Sequence, residues 1–282
     1  MTDVAVVSVL WALVLAWAAA YALRVAVRGR ARNDRADKDG GSALLSMHLV
    51  EFCLWSMVPF ARLLARAGVT PDGVTWFSLA PGLAAGVALA FGRFGLAAVL
   101  GTVSAFCDTI DGLIARQLSA GSRAGETLDS VADRYVESAF FGGLIVYYRF
   151  APAVMVLAIL ALIGAFMISY TTAKAEAQRV SLPRGLMRRT ERSFYLMVAA
   201  GLVPFTRMLV PLSQPVYVRD VSMVAVIALI AVVGNISAVS RTFLVRRTLS
   251  APVSGPVSAP ATGGASAGSD SPQLQVPADS RG

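Results

Sequence analysis

The chain has 282 residues, of which 56% are hydrophobic and only 15% charged, whereas a soluble domain carries about a quarter charged residues. That balance excludes an ordinary soluble globular protein and points to a bilayer. The net charge of +8 invites a nucleic-acid reading, which the placement of the basic residues removes below.

A membrane span needs about 20 mostly apolar residues. Seven segments qualify, near 4–26, 70–92, 95–117, 126–148, 151–173, 193–211 and 220–244. The first has no basic residue before it, and Arg24, Arg28, Arg30, Arg32, Arg35 and Lys38 follow it. That is the wrong order for a cleaved signal peptide, so residues 1–42 read as a retained transmembrane helix with a basic cytoplasmic linker. Between 43 and 67, apolar positions are broken by His48, Glu51, Arg62 and Arg66, the pattern of a helix lying along the interface. It ends at Gly68 and the turn-like run Thr70, Pro71, Asp72, Gly73. Residues 43–247 read as one helical membrane domain. Residues 248–282, rich in Ala, Pro, Ser and Gly, read as a disordered cytoplasmic tail. The two cysteines, Cys53 and Cys107, give no disulfide or metal spacing and are assigned to the core.

With the N-terminus outside, the cluster 24–38, Arg62, Arg66, Arg116, Arg123, the run Lys174 to Arg192, Arg241, Arg246 and Arg247 all face the cytoplasm. Only Arg93, Arg149, Arg207 and Arg219 fall outside. This asymmetry follows the positive-inside rule, so nucleic acid is not needed to explain the charge. The expected location is the inner membrane, with several passes.

Residues 107–134, CDTIDGLIARQLSAGSRAGETLDSVADR, place carboxylates at the cytoplasmic ends of two apolar spans. A charge deep in a span costs on the order of 3 kcal/mol, and four together approach ~10 kcal/mol, comparable to the stability of a domain. They require compensation. Asp108, Asp111, Gly112 and Ala115 share one helical face, and Asp129 and Asp133 are i, i+4 on the next helix. Joined through Ser119 to Arg123, antiparallel helices bring all four carboxylates to one spot. Hard oxygen ligands without His or Cys suit Mg2+ or Mn2+. Gly112, Ala115 and Gly125 leave backbone bare beside them, and Arg116 offers a bidentate phosphate ligand.

The spacing D-x-x-D-G-x-x-A-R, eight residues, G-x-x-x-D-x-x-x-D resembles the signature of the CDP-alcohol phosphotransferase family, and all eight fixed positions are present. A chance match at a given start is roughly one in 10^9. Further likeness, to the phosphatidylinositol phosphate synthases within that family, lies in Leu63 to Thr75, Phe141 to Leu144, Ser169 to Ala177 and Arg189 to Arg192. Departures are the extra N-terminal helix, the tail, Ala124 in place of Phe and Thr190 in place of Pro.

The resemblance implies an all-α integral membrane protein, a six-helix transmembrane bundle with an interfacial helix and one extra N-terminal span. It implies a homodimer and a phosphatidyl transfer from CDP-diacylglycerol to an inositol phosphate at the cytoplasmic face, with CMP released. Two ions would be held by Asp108, Asp111, Asp129 and Asp133, with Asp133 also the proton acceptor. Asp72, Gly73, Val74, Thr75, Gly112, Ala115, Arg116, Ser122 and Gly125 would contact the donor. Arg123, Lys174, Arg188, Arg189 and Arg192 would face a phosphorylated polyol acceptor.

Plainer readings stand beside these. The aspartates form a structural ion-pair network with Arg116, Arg134 and Lys174; Asp72 is a turn residue; His48 packs at the surface. Asn235 and Ser237 make helix contacts. Glycerol 3-phosphate is the rival acceptor, and a non-catalytic membrane scaffold or transporter is the rival class.

Overall fold

A computed structural model describes residues 2–29, 47–183 and 185–250, without the side chains of Thr2 and residues 47–50. The linker residues Arg30, Arg32, Arg35 and Lys38, the His48 side chain and the expected tail from residue 251 onward lie outside the described residues.

All described elements are helical: α1 (Thr2–Arg28), α2 (Met47–Arg66), α3 (Pro71–Ala90), α4 (Phe94–Gln117), α5 (Arg123–Tyr147), α6 (Pro152–Ala177), α7 (Arg189–Leu209), the short α8 (Val216–Arg219) and α9 (Val221–Ser250). A 3-10 turn, Tyr148–Phe150, joins α5 to α6. The starts follow from capping chemistry. The Thr70 hydroxyl accepts the Gly73 N–H at 3.2 Å with Pro71 opening α3, and the Ser122 hydroxyl accepts the Gly125 N–H at 2.9 Å at the start of α5.

Among the described residues, five helices are long and apolar enough to cross a membrane: Asp3–Arg28 of α1, and α3, α4, α6 and α9. The sequence pattern predicts seven. The other two, α5 and α7, are 25 and 21 residues long but carry Glu126, Asp129, Asp133, Arg134 and Glu137, and Arg189, Glu191 and Arg192. Several of these charges pair inside the bundle, so composition alone does not mark the helices as apolar. Meanwhile Phe77, Val87, Val156, Ile163, Val232 and Ile236 are exposed on α3, α6 and α9. Such faces are unfavourable in water and ordinary against lipid, as expected of a multi-pass membrane protein.

Close backbone crossings set the helix positions. At the crossing of α3 and α5, a Cβ on Gly143 would overlap the Gly86 carbonyl oxygen, and a Cβ on Gly86 would overlap that of Ala139. The α6–α9 pair meets at Gly164, where the Asn235 amide donates to the Leu160 carbonyl at 2.9 Å; Ser237 donates to the Leu186 carbonyl at 3.0 Å. Asn235 therefore makes the helix contact that its position predicts, whereas Ser237 bonds to the segment between α6 and α7.

The end of the bundle where α4 begins is tied by an ion network. Arg207 donates to both carboxylate oxygens of the fully buried Asp220, at 2.6 and 3.0 Å, and to the Gly92 carbonyl and the Tyr147 hydroxyl. Its guanidinium lies 4.6 Å from the centroid of the Phe94 ring. On the same end, Asp3 of α1 accepts the Gly95 and Leu96 N–H groups at 2.8 and 3.0 Å, an anion at a helix N-terminus.

Candidate metal and phosphate site

The opposite end holds the carboxylates. From α4 come Asp108 and Asp111, and from α5 Asp129 and Asp133; the turn between the helices is short enough to bring them together. One oxygen from each of Asp108, Asp111 and Asp129 lies within 4.8 Å of the others. Ligands at about 2.1 Å from a magnesium ion are at most about 4.2 Å apart, so the trio needs only a small contraction to enclose one cation. One Asp129 oxygen, Oδ1, is buried with no hydrogen-bond partner, an unmet acceptor that a cation would satisfy. The donor set is all hard oxygen. The residues fit a divalent metal ion.

Asp133 is placed differently from its three neighbours. It is 7% exposed, and its Oδ2 is in contact with Arg189, whose other nitrogen donates to Asp108 Oδ1 at 2.8 Å. Arg189 thus bridges the two carboxylates. Arg189 joins the ion-pair network expected with Arg116, Arg134 and Lys174; Arg134 pairs with Glu137 at 2.7 Å and acts electrostatically on Asp129. Behind Asp108 and Asp133 lies a cavity of ≈ 50 Å³ whose wall includes Ser78, Ser104, Glu137 and Ser193.

Thr75, expected as a donor contact, hydrogen-bonds to Asp111 Oδ2 at 2.7 Å and is 4% exposed. Its hydroxyl orients a carboxylate of the candidate metal site, as outer partners do at metal sites. Asp72 lies by the start of α5, where a Cβ on Gly125 would come 3.1 Å from its Oδ1 and 3.2 Å from the Ser122 hydroxyl. At Gly112 a Cβ would come 3.5 Å from the Arg116 guanidinium, which folds back over that bare stretch of helix. The expected neighbours Asp72, Ser122 and Gly125, and likewise Gly112 and Arg116, are therefore brought together.

The expected acceptor residues separate. Arg123, Lys174 and Arg188 are exposed, Arg189 is engaged as described, and Arg192 is fully buried against Glu137 at 2.7 Å and the Met187 carbonyl at 2.7 Å. A closed Arg192 supports the site and does not face an incoming ligand. Two residues absent from the sequence-based set enter. Glu137 continues the Asp129, Asp133 stripe at the next i+4 position, a signal that the spacing carries. Arg241 of α9 donates to the Thr172 hydroxyl at 2.6 Å, its Nε is buried without a partner, and Arg188 and Arg192 act on it electrostatically. Nothing in the local sequence distinguishes Arg241 from the other basic residues that end the cytoplasmic helices.

Beside this end runs an apolar groove of ≈ 410 Å³, lined by Phe60, Leu63 and Leu64 of α2 and by Gly73, Val74, Phe77, Phe106, Cys107 and Ile110. It joins the α3 turn to the helix that carries Asp108 and Asp111. Cys107 is partly exposed in it; Cys53 of α2 is partly buried, and burial pushes its thiol up from the ordinary range.

Residues 68–233 match the family model described as CDP-alcohol phosphatidyltransferase. The chain belongs to that family. Its CDP-alcohol phosphatidyltransferase relatives include the phosphatidylinositol phosphate synthase of Streptomyces avermitilis, 35% identical over 77% of this chain and 89% of the relative. That of Corynebacterium glutamicum is 37% identical over 60% of this chain and 76% of the relative. Among solved structures, the chain is similar to the Mycobacterium tuberculosis phosphatidylinositol phosphate synthase in complex with manganese and citrate. The TM-score is 0.59 at 28% identity, covering 67% of this chain and 88% of that one. The same enzyme with CDP-DAG bound aligns with a TM-score of 0.58 at 27% identity, over 67% of this chain and 92% of that one. The family match begins after α1 and α2, so both helices lie outside the matched family region.

Proposed function

We propose that the protein transfers a phosphatidyl group from CDP-diacylglycerol to an inositol phosphate, releasing CMP, as a metal-dependent enzyme of the cell inner membrane. The observation that carries the reading is the convergence of Asp108, Asp111 and Asp129 oxygens within 4.8 Å, beside Asp133, in a chain of this family. Relatives named phosphatidylinositol phosphate synthase support the acceptor.

Four carboxylates outnumber the Arg189 guanidinium that bridges two of them, leaving a negative spot that divalent ions would offset. Two magnesium or manganese ions would be held by Asp108, Asp111, Asp129 and Asp133 and would supply charge neutralisation to the pyrophosphate. The acceptor hydroxyl oxygen attacks the lipid-bearing phosphorus, the bond from that phosphorus to the CMP oxygen breaks, and the hydroxyl proton passes to the Asp133 carboxylate. Asp72, Gly73, Val74, Gly112, Ala115, Arg116, Ser122 and Gly125 hold the cytidine and pyrophosphate, while the apolar groove takes the acyl chains. Thr75 serves by orienting Asp111. Arg123, Lys174 and Arg188 draw in the acceptor phosphate with Arg241, whose unpartnered buried nitrogen supports adding it to the set. Residues 43–247 carry the activity as a seven-span homodimer together with α1, the active end facing the cytoplasm, where the basic residues concentrate.

The test is CMP release from purified protein, magnesium and CDP-diacylglycerol with inositol phosphate or glycerol 3-phosphate. Release with glycerol 3-phosphate alone sinks the inositol reading, and none with any acceptor favours a scaffold or transporter. Asp133→Asn should abolish release while leaving membrane insertion intact; an active variant removes Asp133 as the base.

A further inference from the structure

Helix α1 holds the bundle at both of its ends. Near its start Asp3 caps α4, and Trp11 donates to the Gly201 carbonyl of α7 at 3.3 Å. Near its end it meets α2. The Trp17 indole donates to the Ser56 hydroxyl at 2.8 Å, and the Tyr21 hydroxyl to Glu51 at 3.4 Å. The Trp17 and Tyr21 rings lie 5.7 and 5.3 Å from that of Trp55, Tyr21 lies 5.6 Å from Phe52, and Arg24 sits over Trp55.

These contacts fall on the first half of α2. The second half, at Phe60, Leu63 and Leu64, is one wall of the apolar groove. Between the halves stands Pro59, inside the helix. A proline has no N–H, so the Trp55 carbonyl lacks its intrahelical donor and the helix is weakest at that junction. The position of the wall therefore depends on packing on either side of Pro59. On one side α1 supplies it, through Trp55 itself.

We propose that α1 is a brace that sets the position of α2 and thereby the affinity of the groove for the lipid donor, with Trp17 and Tyr21 as positioning residues. This rests on the reading that the groove receives the acyl chains of CDP-diacylglycerol. It assigns a role to a helix outside the matched family region.

The experiment measures CMP release by the full chain in mixed micelles, separating kcat from the KM of each substrate. Trp17→Ala with Tyr21→Ala should raise the donor KM at least about tenfold, the lower scale of losing three tilted or edge-on aromatic pairs, and leave kcat and the acceptor KM within about twofold. Trp17→Phe with Tyr21→Phe keeps the rings and should restore most of the affinity. Leu64→Trp, which fills the groove directly, should raise the donor KM as well. If Leu64→Trp raises it and the alanine pair does not, the brace is wrong and the groove reading stands. If Leu64→Trp has no effect, the groove reading falls and the proposal with it. Should the alanine pair not fold, Ser56→Ala removes the Trp17 hydrogen bond, along with the Ser56 hydroxyl's own 2.8 Å bond to the Phe52 carbonyl within α2, and should move the donor KM in the same direction. Maleimide labelling of Cys107, in a Cys53→Ala background, should speed up in the braceless variants as the wall shifts; an unchanged rate overturns the proposal.

Discussion

Thr75→Val tests how the metal site is held. The two side chains are nearly isosteric, so the change removes the 2.7 Å hydrogen bond to Asp111 Oδ2 and a longer one, at 3.2 Å, to the Pro71 carbonyl within α3. Asp111 is 5% exposed, so water cannot readily replace the lost donor. A hydrogen bond to a charged acceptor contributes about 1.5–3 kcal/mol. Converted at about 1.4 kcal/mol per decade, that is a loss of roughly 10–100-fold, the same range as removing an outer partner from other metal sites. The loss belongs to the metal ligand, so it should appear as a raised half-saturation for magnesium or manganese in a CMP-release titration at saturating donor. Thr75→Ser retains the hydroxyl and should stay within about threefold of the parent on the same reasoning. A Thr75→Val variant with unchanged metal half-saturation and a raised CDP-diacylglycerol KM would refute the argument and return Thr75 to the donor contacts that its place after Asp72 predicts.

Two further outcomes concern the frame. Gly143→Val puts a branched side chain against the Gly86 carbonyl at the α3–α5 crossing; backbone cannot yield there, so the chain should fail to give monodisperse protein in detergent, whereas Gly142→Ala, with open space at its Cβ, should be neutral. Arg207→Met leaves the Asp220 carboxylate, which is 0% exposed, buried without its bidentate partner, at a cost of about 3–5 kcal/mol. That should lower the thermal midpoint in detergent by on the order of 10 °C, with CMP release at low temperature retained because the pair lies at the end of the bundle away from the aspartates.

The reaction class and the apolar helices were legible in the sequence because they depend on short-range geometry. Hydropathy over about 20 residues marks a span, Thr70 with Pro71 and Ser122 announce helix starts, and the spacing of Asp108, Asp111, Asp129 and Asp133 places carboxylates on helix faces whatever surrounds them. The family signature sits within 26 residues of chain, from 108 to 133, and so does most of the metal cluster. The amphiphilic α5 and α7 were legible as helices, but where their charges go was not.

Those destinations were decided by the packing of distant helices. Arg189 reaches Asp108 across 81 positions, Thr75 reaches Asp111 across 36, and Arg192 closes on Glu137 across 55. None of these distances has a periodicity to read. They are fixed by the rotation and approach of whole helices, which bare crossings such as Gly86 with Gly143 permit and side-chain volume elsewhere forbids. The same holds for α1, which its sequence marks as a span and nothing more. Only its docking, with Asp3 on α4 and Trp17 and Tyr21 on α2, makes it part of the bundle. Local sequence determines which side chains a helix presents along each face; tertiary packing determines which of them meet.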